Sequence, residues 1–128
     1  MHDLPQAITA VAFLAANGEY AWRRPDLADA LRAIAASGLA VLGGEVWVVQ
    51  GSRITGLVPS FSGGPPGVWH WETSLRRTEE SWADYCKRAS DESIRAVESM
   101  AVEDEAREDV RDSLFFNITF VENKGAGR

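Results

Sequence analysis

The chain has 128 residues, 45% hydrophobic and 25% charged, with a formal net charge of −6 and a single cysteine. That length supports one domain with a real core, and the composition excludes an intrachain disulfide or a multi-cysteine metal site and argues against a general nucleic-acid binder. No apolar run approaches the ~20 residues of a membrane-spanning helix, and the first residues lack a basic leader pattern, so the expected location is the cytoplasm. The charge is uneven. Residues 79–112 hold twelve acids and five bases, whereas residues 1–78 hold six of each. Such an acidic half suits a basic protein partner through steering of the encounter, although a solvated helix face gives the same count.

In chain order, residues 5–16 read as a first helix. Ile8, Val11, Ala12 and Ala15 recur at helical spacing, Asp3 is a candidate N-cap and Gly18 a candidate left-handed stop. Residues 25–37 read as a second helix, with Pro25 in its first turn, Asp26 and Asp29 at the positive end of the dipole, and Leu27, Leu31 and Ile34 on the buried stripe. Gly38 ends it. The stretch Leu39 to Gln50 then carries apolar residues on both faces of a strand near 41–50, which predicts a strand covered on both sides. The pair Gly43-Gly44 within it predicts a bulge or the close approach of another backbone.

Gln50-Gly51-Ser52-Arg53 is a turn, and 54–58 is a returning strand. Residues 59–67 are dense in glycine, proline and serine and read as a loop. A strand near 68–72 follows, with Trp69 and Trp71 on one face and His70 on the other. Residues 78–100 carry the strongest helical pattern, with Trp82, Tyr85, Cys86, Ala89, Ser93, Ala96, Val97 and Met100 on one stripe; residues 104–112 read as a short acidic helix or a frayed extension of it. A last strand spans 114–121, and 122–128 reads as a loose tail. The whole predicts one α+β domain over residues 1–121, with helices packed on a mainly antiparallel sheet.

Catalytic patterns are sparse. Cys86 lies on an apolar stripe, where a buried, inert thiol is expected. The glycine pairs lack phosphate-loop spacing, no ligand set for a metal emerges, and no cofactor is expected. Asn117-Ile118-Thr119 matches a glycosylation sequon, which without a secretion signal reads as accidental. Trp47 and Trp82 sit on stripes that assign them to the core. Trp, Tyr and Arg dominate binding hot spots, so Trp69, His70, Trp71 and Glu72, with Glu45 and with Phe61 from the preceding loop, form the candidate partner-binding set.

The residues Ser37-Gly38-Leu39-Ala40-Val41-Leu42-Gly43-Gly44-Glu45-Val46-Trp47, preceded by Trp22 and a Leu/Ala-rich helix, carry a resemblance. With Glu80-Ser81-Trp82-Ala83-Asp84-Tyr85, Arg88-Ala89-Ser90 and Phe115-Phe116, they resemble the immunity proteins of bacterial polymorphic toxin systems, in particular the immunity protein 40 family, over most of residues 20–120. The family pattern has an aspartate where this chain has Glu45, and the region from Ser52 to Gly67 is longer and richer in glycine and proline. The resemblance implies a non-catalytic inhibitor, monomeric or homodimeric, that binds a cognate toxin in the cytoplasm, for example a basic nuclease, without contacting nucleic acid or membrane itself. It implies no catalytic residues. Two other readings stand beside it: a small enzyme with a cleft around His70, Glu45 and Glu72, and a homo-oligomeric module that buries its tryptophans against a second copy.

Overall fold

The computed structural model describes residues 4–57, 59–60, 67–106 and 108–123. The expected tail beyond residue 123 and the candidate contact Phe61 lie outside them. The elements are α1 (Gln6–Thr9), β1 (Phe13–Leu14), β2 (Tyr20–Trp22), α2 (Arg24–Ala36), β3 (Ala40–Gln50), β4 (Arg53–Leu57), β5 (Pro59–Ser60), β6 (Gly67–Val68), β7 (His70–Glu72), α3 (Trp82–Ser99), α4 (Val102–Glu105), a 3₁₀ turn (Glu108–Ser113), β8 (Leu114–Asn117) and β9 (Thr119–Val121). This is an α+β domain built on an antiparallel sheet of seven strands.

β3 is the centre of that sheet. On one side it pairs with β8 through Val46–Phe116 and Val48–Leu114, then with β9 through Gly43–Thr119 and Ala40–Val121. On the other it pairs with β4 through Gln50–Arg53 and Trp47–Leu57, then with β7 through Glu45–His70 and Gly43–Glu72. β4 and β7 are therefore two halves of one strand line, and the chain leaves that line between them to make the small β5–β6 hairpin. The loop expected over 59–67 thus has a two-pair ladder at its base. The expected strand over 68–72 divides at Trp69, whose carbonyl still accepts from the Val46 N–H. The strand expected over 114–121 divides at Ile118, whose N–H turns to the Tyr20 carbonyl.

Two crossovers interleave. β2 leads through α2 to β3, and β8 lies between them; β7 leads through α3 to β8, and β3 lies between those. Both helices cover the same face. Leu27, Ala30, Leu31 and Ile34 of α2 and Tyr85, Cys86, Ala89, Ile94 and Val97 of α3 close on Trp22, Val46, Val48, Trp71 and Phe116. Each large aliphatic side chain so buried contributes roughly 1.5–3 kcal/mol. Ser90 Oγ donates to the Leu31 carbonyl at 3.1 Å and joins the helices. A smaller cluster of Ala15, Ala21, Trp47 and Val49, with Phe13 and Phe115 against it, lies on the helix-free face.

The expected helix over 5–16 is a single turn, followed by β1. Gly18, read above as a helix stop, forms with Asn17 a hairpin signal. It turns β1 into β2, with Gly18 at φ 89° and the Ala15 N–H on the Glu19 carbonyl. Tertiary packing decides the competition, because Phe13 as a strand residue meets Trp47 edge-on at 6.2 Å and Phe115 at 6.0 Å. α3 starts at Trp82 rather than Thr78, since Ser81 supplies the cap by accepting the Asp84 N–H. Its far end is held by Arg24, which donates to the Val97 and Met100 carbonyls, pairs with Glu103 at 2.6 Å and lies 4.8 Å over the Phe116 ring. Burial pushes the Glu103 carboxyl up, but the Arg24 hydrogen bond, a backbone hydrogen bond and the Arg24 charge together outweigh it and leave it lowered.

Arg88 on α3 makes the second ionic hub. It pairs with Glu80 and Glu92 at 2.6 Å each, and the Arg88 and Glu80 side chains are only 14% and 9% exposed. The Arg88 hydrogen bond draws the Glu80 carboxyl down from its ordinary 4.5 to about 2. Glu92 is pushed up by burial, but the Ser74 N–H and Arg88 together outweigh that and leave it lowered. Because the folded state favours the ionised carboxylates, their stabilisation is complete above pH 4.5 and is lost as pH falls toward 2. We therefore expect the urea midpoint to fall steeply between pH 4.5 and 2, and a Glu80→Gln variant to show a shallower fall over the same window. Equal slopes for the two proteins would show that this carboxylate does not govern the acid limb.

Candidate functional site

The site grows out of the glycine pair. Leu42 is the extra residue of a bulge, where the β3–β9 register shifts between Val41 and Gly43. Gly43 then takes φ 151°, a backbone region that side-chain-bearing residues rarely adopt. A Cβ on Gly43 would run into the Trp71 carbonyl oxygen, and one on Gly44 into the Asn117 carbonyl oxygen and the Trp71 ring. The pair thus lets both neighbouring strands close on β3, as the close approach expected from the sequence requires.

Side-chain alternation then sorts the residues by face. Trp71 stands opposite Gly44 on the helix side, 6% exposed, and donates its indole N–H to Ser93 Oγ at 2.9 Å. Trp69 packs against the same core, and its indole nitrogen has no hydrogen-bond partner among the described residues. The two tryptophans share a face that turns toward the core, where Trp71 is buried and Trp69 half-buried, so of these two candidate contacts only Trp69 keeps a part of its surface exposed. Opposite them, on the helix-free face, Glu45 stands across from His70 and Gly43 across from Glu72. His70 and Glu72 are exposed and Glu45 is half-buried. The Glu45 carboxylate accepts the Trp47 indole N–H of its own strand at 3.0 Å.

These residues wall an open cleft of about 360 Å³, floored by Gly43 and Gly44. Its other wall comes from Glu19, Asn117 and Thr119. Asn117 is 2% exposed and donates through Nδ2 to Glu19 Oε1 at 3.3 Å and to the Tyr20 carbonyl at 3.1 Å. Asn17 Nδ2 holds the other Glu19 oxygen at 2.5 Å. The Asn117 amide is thereby committed to the fold, in keeping with the accidental reading of its sequon. Glu19, Asn117 and Thr119 were absent from the candidate set because residues 98 positions apart meet here and no local pattern announces it. The hairpin signal Asn17-Gly18 was the one available clue to Glu19.

Three carboxylates converge on the cleft, and none of the described residues that line it is a lysine or arginine. Its chemistry is that of a surface for cationic groups, with His70 and the Thr119 hydroxyl as further polar contacts. Among the described residues no three His, Cys, Asp or Glu side chains stand close enough to hold a metal ion. Cys86 is 1% exposed, and burial pushes its thiol up, away from the thiolate that a nucleophile requires. No described helix is long and apolar enough to cross a membrane. No family model matches the chain, and neither curated proteins nor solved structures yield a match.

Proposed function

We propose that this chain is an immunity protein, a non-catalytic inhibitor that binds a cognate bacterial toxin domain in the cytoplasm. The resemblance carried by Ser37–Trp47 and the long acidic helix supports this reading. The observation that carries it into the structure is the convergence of Glu19, Glu45 and Glu72 on one open cleft of the helix-free sheet face. A carboxylate-lined surface within a chain of net charge −6 complements a basic partner such as a nuclease and speeds its encounter. Trp71 serves the scaffold, and Glu45, His70 and Glu72 are the candidate contacts that line the cleft.

Co-expression with the toxin domain encoded beside it tests the function: growth should be rescued and the two proteins should co-purify. Failure of both sinks the proposal. The site is tested by Glu45→Gln combined with Glu72→Lys, since glutamine still accepts the Trp47 N–H. Toxin affinity should fall at least tenfold, about 1.4 kcal/mol, mainly through slower association at low salt. An unchanged association rate measured by biolayer interferometry would place the interface elsewhere.

The small-enzyme reading gains one observation, because Glu45, His70 and Glu72 do line the same cleft. A His70→Ala protein that still protects cells fully speaks against it. Loss of protection with unchanged toxin affinity speaks for it.

A further inference from the structure

One side chain in the lining of the acidic cleft can gain a positive charge near neutral pH. Histidine takes up its proton between about pH 5 and 8, a range in which ordinary carboxylates are largely ionised. Among the described residues that line the cleft, the ionisable ones are His70, Glu19, Glu45 and Glu72. The sheet register gathers the three carboxylates around the imidazole. Glu45 stands directly opposite His70 across the β3–β7 pair, at the roughly 5 Å Cβ separation of opposed residues on one face. Glu72 is the next residue of β7 on that face, and Glu19 stands on the far wall with the uncharged Asn117 and Thr119.

The surrounding elements bring no other base into this lining. Residues 54–69, which lead from β4 into β7, contain no ionisable side chain. Arg53 pairs with Gln50 at the far end of β3, and Arg23 lies over the Phe115 ring, beside Trp47. Beyond β7, Arg76 lies over Trp82, and Arg77 sits among Glu79, Glu80 and Asp84. α2 and α3 cover the opposite face of the sheet. Protonation of His70 therefore cancels one of the three negative charges of the lining from within. An imidazolium and a bound cation compete for the same carboxylates, so each weakens the other by the same factor.

We propose that His70 is a proton switch on the cleft, which holds a cationic group of the toxin domain while the imidazole is neutral and releases it on protonation. This rests on the proposed immunity role and adds regulation to its contact surface. The test measures affinity for the toxin domain encoded beside it, at about pH 7.5 and about pH 5.5, for wild type, His70→Gln and His70→Lys. Comparing the loss between the two pH values removes titrations that belong to the toxin. Glu80, drawn down to about 2, titrates well below this window, and melting temperatures at both pH values check the fold. The wild-type loss should exceed that of each variant at least threefold. Calorimetry near pH 6, in two buffers of different ionisation enthalpy, should show proton release when wild type binds. A smaller excess, tighter binding at the lower pH, or no proton release overturns the switch while the immunity role stands. If wild type neither binds nor protects at the higher pH, both fall together.

Discussion

Gly44→Ala is expected to cost about 3 kcal/mol or more of folding stability, at the upper end of what one added methyl group does in a packed interior. The new Cβ would overlap the Asn117 carbonyl oxygen, which belongs to the adjoining strand, and the Cη2 and Cζ3 atoms of Trp71. Neither neighbour can yield cheaply. The carbonyl is fixed within the sheet, and the indole is pinned by its hydrogen bond to Ser93. Gly51→Ala provides the comparison: Gly51 has φ 65° but no atom within 4 Å of a Cβ, so only the backbone cost of about 1 kcal/mol applies. Urea unfolding of both variants separates the two causes. A Gly44→Ala protein no less stable than Gly51→Ala would show that β3 can move away from its neighbours.

Trp71→Ala is the second large effect, with an expected loss of about 3–5 kcal/mol. The substitution empties an indole-sized volume beneath α3 and strips Ser93, which is fully buried, of its donor. Trp71→Phe separates these contributions, because it retains most of the ring but leaves the serine hydroxyl without the indole N–H, at about 1–3 kcal/mol. Under the proposed immunity role, the folded fraction of the Trp71→Phe variant should keep wild-type affinity for the toxin domain, since the indole serves the core. A Trp71→Ala protein that melts like wild type but no longer binds would return this residue to the interface.

How much of this was legible depended on whether the signal was local. The apolar run of β3, the stripe of α3 and the stripe of α2 are long and periodic, and packing acts in the same sense as propensity in all three. The short elements were a different matter. Ile8, Val11, Ala12 and Ala15 repeat at helical spacing, but the strand conformation gives Phe13 two aromatic neighbours that a helix would forfeit. β2 is three residues long and owes its existence to Asn117 and Phe116 at the other end of the chain. For the candidate site, alternation around His70 was legible in the sequence, but which face turns to the core was not. Two tryptophans flanking one histidine are compatible with either face turned inward, and the deciding partner, Ser93, lies 22 residues away. The same distance problem hid Glu19, whose place in the cleft is set by Asn117.

The interleaving of the two crossovers bears on how the chain acquires its structure during synthesis. β8 is next to last among the strands, yet it lies between β2 and β3 near the middle of the sheet. Until the ribosome has released Leu114–Asn117, β2 lacks its main partner and one flank of β3 stays open. Contacts of such high sequence separation slow folding, and an unpaired central strand is a site for association with other chains. Nascent chains ending before residue 114 should therefore remain protease-sensitive, and protection should arrive in one step once the final strands emerge.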